Sequence, residues 1–155
     1  MNRQGEVIHI VMAEDDPDDR LLVAEAFEEK HVANSLAFVE NGEELLDYLN
    51  QRGEYGDSKR FPRPDIILLD LNMPRMDGRE ALKAIKADPK FRSIPVIVLT
   101  TSTAEQDILM SYDLGASSFI TKPVTFEGLL DALGAFDKYW IQIVKLPSGS
   151  AMRET

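Results

Sequence analysis

The sequence predicts an α/β domain built on a doubly wound, five-stranded parallel sheet in the order 2-1-3-4-5. Three observations carry this expectation. Continuous apolar runs, VIHIVMA, DIILLDL, IPVIVL and SSFIT, read as strands buried on both faces, which is the signature of a parallel sheet covered by helices. Capped amphipathic segments separate the runs and are long enough to be helical crossovers. Residues able to handle a hard cation or an anion stand at the ends of four runs: Glu14 and Asp15, Asp70, Thr100, and Lys122. None of these ends is a glycine-rich phosphate loop.

In chain order, the first run stops at Glu14 and Asp15. Asp16 then offers a helix cap, Pro17 suits the first helical position, and Asp18 and Asp19 complement the helix dipole. Leu22, Val23, Ala26 and Phe27 supply the buried stripe of this helix. A short second strand is expected over Ser35 to Glu40, after which Asn41 and Glu44 cap a helix carrying Leu45, Leu46 and Leu49. The segment Gly53 to Pro64, rich in Gly, Pro and charge, reads as an irregular loop. Beyond the third strand, Asp77 and Glu80 precede Ala81, Leu82 and Ile85. Thr103 and Gln106 form a capping box before Ile108, Leu109 and Tyr112. Thr125 caps a last helix with Phe126, Leu129, Leu130 and Leu133 on its apolar positions.

The predicted order has a functional consequence. It sets the first strand beside the third, so Glu14 and Asp15 face Asp70 at the switch point, while Thr100 and Lys122 arrive from the fourth and fifth strands. At 155 residues the chain fits one domain with a sizeable core. Its 17 Lys and Arg against 27 Asp and Glu give a net charge of −10, which argues against binding nucleic acid or anionic membranes. Cysteine is absent, which removes disulfides, thiolate metal sites and thiol catalysis. The apolar stretch before the first acids is too short for a signal-peptide core or a membrane span, so a soluble cytoplasmic protein is expected.

Each part of the constellation has an ordinary reading by itself. Acid runs are usually solvated helix starts, a strand-end Asp is usually a turn or cap residue, paired Thr such as Thr100 and Thr101 are strand formers, a single Lys is a surface group, and Phe119 is core. Together they describe something narrower. Several carboxylates brought close repel one another unless a cation joins them, and Mg²⁺ typically takes one or two carboxylates and keeps its waters. Glu14 and Asp15 are therefore assigned to the cation and Asp16 to capping. Asp70, at the exit of the most apolar strand, becomes a nucleophile able to form an acyl phosphate, with Thr100 and Lys122 holding phosphoryl oxygens. Lys122 is expected to reach those oxygens without lying among the metal ligands, and Phe119 is a candidate moving part.

Glu14 and Asp15, Asp70 in LLDLNMPRMDG, Thr100 in PVIVLTTS and Lys122 in FITKPV resemble the receiver domain of two-component response regulators, over roughly Val7 to Phe136. The resemblance implies a flavodoxin-like receiver fold and Asp70 as phosphoacceptor from a histidine kinase or phosphotransfer histidine. It also implies Mg²⁺ (or Mn²⁺) held by Glu14, Asp15, Asp70 and the backbone carbonyl of Asn72, and Phe119 as the switch aromatic. Thr101 departs from the small Ala or Gly of many receivers. A narrower resemblance, to single-domain regulators of phytochrome-type histidine kinases, rests on RGEYGDSKRFPRPDIILLDLN, REALKAIKADPKFRSIPVIVLTTS and the tail FDKYWIQIVKLP.

Residues 1–138 are thus expected to form the receiver domain, and residues 139–155 an extension of the last helix and a polar tail with no output domain. Leu129, Leu133, Phe136, Trp140, Ile143 and Val144 continue one helical stripe to Pro147, which reads as a homodimer interface in preference to a fold-back on the core. A phosphorylation-independent adaptor is the first alternative function. A haloacid-dehalogenase-like phosphatase is the second, but the chain has Asp70, Leu71 and Asn72 where such enzymes carry DxD, and so lacks the second acid. The protein is accordingly expected to be a signalling module whose own chemistry is limited to self-phosphorylation from small donors and self-dephosphorylation.

Overall fold

A computed structural model describes residues 8–29, 34–100, 115–116, 118–122 and 127–128. Five parallel strands, β1 (Ile8–Ala13), β2 (Asn34–Val39), β3 (Ile66–Asp70), β4 (Val96–Thr100) and β5 (Ser118–Thr121), form one sheet in the order β2-β1-β3-β4-β5. Helices α1 (Pro17–Glu29), α2 (Gly42–Leu49) and α3 (Gly78–Ala87) complete the described elements. The capping expected at Thr103 and Thr125 and the tail with Leu129, Leu133, Phe136, Trp140, Ile143 and Val144 lie outside the described residues.

Both faces of the sheet are apolar, as the unbroken runs require. Val11, Ile67, Leu69, Val96 and Val98 form a core with Leu45 and Leu49 of α2 and Leu82 and Ile85 of α3. The alternate residues Ile10, Met12, Ile66, Leu68, Ile97 and Leu99 are just as buried, because successive side chains of a strand point to opposite faces. Each such Leu or Ile contributes about 1.5–3 kcal/mol relative to an exposed position.

The caps set where helices begin. In α1 the Asp16 carboxylate accepts from the amide of Asp18 at 2.9 Å. The Asn41 side chain accepts from Glu44 at 2.9 Å, while the Glu44 carboxylate reaches back to the amide of Glu40 at 2.8 Å. This takes Glu40 out of the sheet, so β2 ends at Val39, one residue before the expected end. Asp77 and Glu80 form a complete capping box at α3. Asp77→Ala therefore leaves a first-turn amide unpaired and is expected to cost about 1 kcal/mol, read as a lower urea midpoint with an unchanged slope.

Two local expectations differ from the structure. Leu22 is 48% exposed while its neighbour Val23 is 1% exposed. Consecutive helical residues are a third of a turn apart, so α1 turns Val23 to the sheet and Leu22 to its flank. The segment Gly53–Pro64 is not merely irregular. A turn of 3₁₀ helix, Gly53–Tyr55, starts it, and Tyr55 packs on Tyr48 and Phe61 at centroid separations of 5.3 and 5.0 Å. The Tyr48 hydroxyl donates to the carbonyl of Pro62 at 3.1 Å, which closes the loop over α2.

Candidate functional site

The carboxyl ends of β1 and β3 meet at the switch point. Ala13 pairs with Leu69, so Glu14 and Asp15 leave β1 beside Asp70, the last residue of β3. Ligand oxygens of Glu14, Asp15 and Asp70 lie within 4.8 Å of one another, with Glu14 and Asp70 buried and Asp15 open to solvent. The backbone fixes two of them. The amide of Asp16 donates to Glu14 Oε2 at 3.0 Å, and the amide of Asn72 donates to Asp70 Oδ1 at 3.2 Å. Below them Gly78 passes so close that a Cβ there would stand 2.2 Å from the Asp70 carbonyl oxygen.

Lys122, immediately after β5, brings the balancing charge. Its Nζ lies 2.5 Å from Glu14 Oε1, 3.0 Å from Asp19 Oδ2 and 3.4 Å from Asp70 Oδ2. The ammonium therefore sits among the carboxylates and not apart from them, contrary to expectation. Its side chain is only 9% exposed, and a buried ammonium needs charged partners, which among the described residues these acids supply. Asp19 is the residue the sequence reading missed. It stands one helical turn before Val23, on the face α1 turns to the sheet, and that i, i+4 spacing was the available signal.

Protonation follows from this crowding. Burial pushes the Glu14 carboxyl up to about 7, although the hydrogen bonds from Lys122 and the Asp16 amide pull it back. Burial likewise raises Asp70 against the opposing charge of Lys122. For Lys122, burial favours the neutral amine, but hydrogen bonds to Glu14 and Asp19 and the charge of Asp70 outweigh it and raise its pKa. Two buried acids whose pKa values burial raises, with a third acid exposed beside them, fit a hard divalent cation approaching from solvent.

The remaining expected residues fall around this cluster. Thr100 ends β4 and pairs with Thr121 of β5, which puts its backbone at the same rim as Asp70; its side chain is outside the described residues. Phe119 pairs with Val98 and is half-buried against the core. Asn72 follows Asp70 by two residues and is itself exposed, between the buried Leu71 and Met73. Phe136, Trp140, Ile143 and Val144 lie outside the described residues.

The family model for the response regulator receiver domain matches residues 10–134. The chain belongs to that family. Receiver domains of two-component signalling act with sensor histidine kinases, and the solved relatives of this one include phytochrome response regulators. It is 38% identical to the response regulator Rcp1 of Synechocystis sp. over 139 residues, covering 90% of this chain and 92% of the relative. A solved Mn(2+)-bound form of Rcp1 aligns with a TM-score of 0.71 and 37% identity, covering 90% of this chain and 99% of that one. The phosphorylated cyanobacterial phytochrome response regulator RcpA aligns with a TM-score of 0.73 and 40% identity, covering 88% and 95% of the two chains. The bacteriophytochrome response regulator AtBRR gives a TM-score of 0.77 and 38% identity, covering 87% and 96%. No helix among the described residues of this receiver domain is long and apolar enough to cross a membrane.

Proposed function

We propose that this receiver domain accepts a phosphoryl group on Asp70 from a histidine kinase of phytochrome type and signals through protein contacts. The observation that carries the reading is the buried Asp70 carboxylate, clustered with Glu14 and Asp15 and 3.4 Å from the Lys122 ammonium. In transfer, an Asp70 oxygen attacks phosphorus, the bond from phosphorus to the donor's imidazole nitrogen breaks, and that nitrogen keeps the electron pair. Glu14, Asp15, Asp70 and the carbonyl of Asn72 would hold Mg²⁺ or Mn²⁺, which when bound offsets the charge that develops on the phosphoryl oxygens. Lys122 would turn from Glu14 to a phosphoryl oxygen, and Thr100 would bind another. Phe119 would then respond as the switch.

In this proposal residues 1–138 form the receiver, residues 139–155 extend it, and Phe136, Trp140, Ile143 and Val144 build a two-fold homodimer of a cytoplasmic protein. Sedimentation of the wild type and of Trp140→Ala, with and without a phosphoryl mimic, tests the dimer. Dissociation of the variant at concentrations where the wild type is dimeric is expected, and two monomers at every concentration would remove the interface. The phosphoryl reading is tested by incubation with a small phosphodonor. One base-labile phosphoryl group per chain is expected with Mg²⁺ and none with chelator; cation-independent labelling would refute it.

The acidity of the site adds a pH dependence. Glu14 holds its proton up to about 7, and that proton must leave when a cation binds. Mg²⁺ affinity is therefore expected to be flat above that pH and to fall below it by up to about tenfold per pH unit, one proton being displaced per ion. Titration of Mg²⁺ at a series of pH values checks this. Constant affinity between pH 8 and pH 5.5 would show that Glu14 is not a ligand.

A further inference from the structure

The amino ends of the strands, at the opposite edge of the sheet from Asp70, present a different chemistry. Asp65 precedes β3 and Asp70 ends it, so this edge lies about 17 Å from the carboxylate cluster. Two adjoining open depressions of about 300 and 240 Å³ flank Arg63. One is lined by Pro64, Asp65, Ser93, Ile94 and Pro95, the other by Asn50, Gln51, Lys90 and Phe91. The Arg63 guanidinium sits 5.5 Å from the centroid of the Phe91 ring, and the Lys90 ammonium 5.3 Å from it.

On a chain of net charge −10, Arg20, Arg52 and Arg75 each pair with a carboxylate, whereas among the described residues Arg63 and Lys90, like Lys59, Arg60, Lys83, Lys86 and Arg92, do not. What sets Arg63 and Lys90 apart is that they share one aromatic ring, Phe91. Arg63 donates instead to the backbone carbonyl of Lys90, and Lys90 to the Asn50 side-chain oxygen at 3.2 Å. Both side chains are solvent-exposed yet held, so part of the ordering entropy of an anion-binding contact is already lost in the free protein. Two acids of this edge have their carboxylates engaged by backbone amides, Asp65 by His9 and Asp88 by Lys90, each at 2.9 Å.

We infer that this edge is a docking site for an acidic peptide segment of a partner protein, with Arg63 and Lys90 binding carboxylates and Phe91 supplying the apolar floor between them. Two fixed cations match two carboxylates of a short extended segment. They are too few for a nucleic acid, whose binding rests on many phosphate contacts and meets the repulsion of the remaining acidic surface. The ordinary reading is a staple that merely ties the Gly53–Pro64 loop to the turn after α3. That staple would affect stability alone.

Fluorescence anisotropy with a labelled hexaglutamate peptide at low ionic strength separates the two. The wild type is expected to bind it at least tenfold more tightly than a hexaserine peptide. Arg63→Gln with Lys90→Gln should erase that preference, while Lys83→Gln, which removes an exposed cation on α3, should change it less than twofold. Backbone amide shifts on titration should concentrate at residues 50–51, 63, 65 and 90–94, a readout that needs no variant. Equal affinity for the two peptides, a double variant that binds as the wild type does, or shifts mapping to the Asp70 end would each overturn the inference. Binding of an oligonucleotide or an anionic vesicle in place of the peptide, lost in the same variant, would overturn the choice of partner.

Discussion

Asp70→Asn is expected to abolish phosphoryl incorporation completely, from a kinase or a small donor, while leaving the fold intact. The amide matches the carboxylate in shape and keeps an oxygen for the Asn72 amide, which lies 3.2 Å from Asp70 Oδ1. It is not a nucleophile towards phosphorus. It also removes one of three crowded acids, two of them buried, so the variant should be as stable as the wild type or more so in the absence of Mg²⁺. Intact-protein mass spectrometry after reaction checks both halves, since it reports the added phosphoryl mass and a parallel melt reports stability. Stoichiometric labelling of Asp70→Asn would place the nucleophile elsewhere.

Gly78→Ala should have the largest effect on stability. A Cβ at Gly78 would lie 2.2 Å from the Asp70 carbonyl oxygen, 2.7 Å from Leu71 Cα and 3.0 Å from the Asp70 carbonyl carbon. These are backbone atoms of a buried strand end and cannot swing aside. Overpacking of this kind costs typically 1–3 kcal/mol, and the upper end is expected here because α3 must move bodily away from β3. At about 2–4 °C per kcal/mol for a chain of this size, the melting temperature should fall by roughly 6–12 °C. Phosphorylation should slow as well, because the displaced atoms carry the Asp70 side chain. Gly56→Ala is the control: the nearest atom to its Cβ is the Gly53 carbonyl oxygen at 3.4 Å, and the loop there already has an ordinary helical φ of −71°. A Gly78→Ala melt within 1 °C of the wild type would mean that α3 can yield freely.

Local patterns carried the fold. The apolar runs, the caps at Asp16, Asn41 and Asp77, and the crossover lengths are short-range features, and together they prescribe the observed strand order. The site was legible for the same reason, since each of Glu14, Asp15, Asp70 and Lys122 stands at a strand end and strand order alone brings the ends together. What escaped the sequence depends on contacts between distant segments. Asp19 becomes a partner of Lys122 only once α1 is laid against the β5 end, 103 residues away in sequence. The Tyr48, Tyr55 and Phe61 cluster is likewise invisible to periodicity, because its rings come from a helix, a turn and a loop that share no repeat. Leu22 shows the converse, an apolar residue that a stripe rule places inside and the helix rotation leaves outside.

The aromatic cluster changes how the Gly53–Pro64 connection can vary. Surface loops usually accept residues added or removed one at a time, because little depends on their interior. Here the middle of the connection supplies Tyr55 and Phe61 to rings anchored by Tyr48, so every intermediate length would strand an aromatic in water and leave the Tyr48 hydroxyl without its carbonyl. A chimaera joining this α2 to a shorter connection that lacks Pro62 would inherit a Tyr48 hydroxyl without its carbonyl.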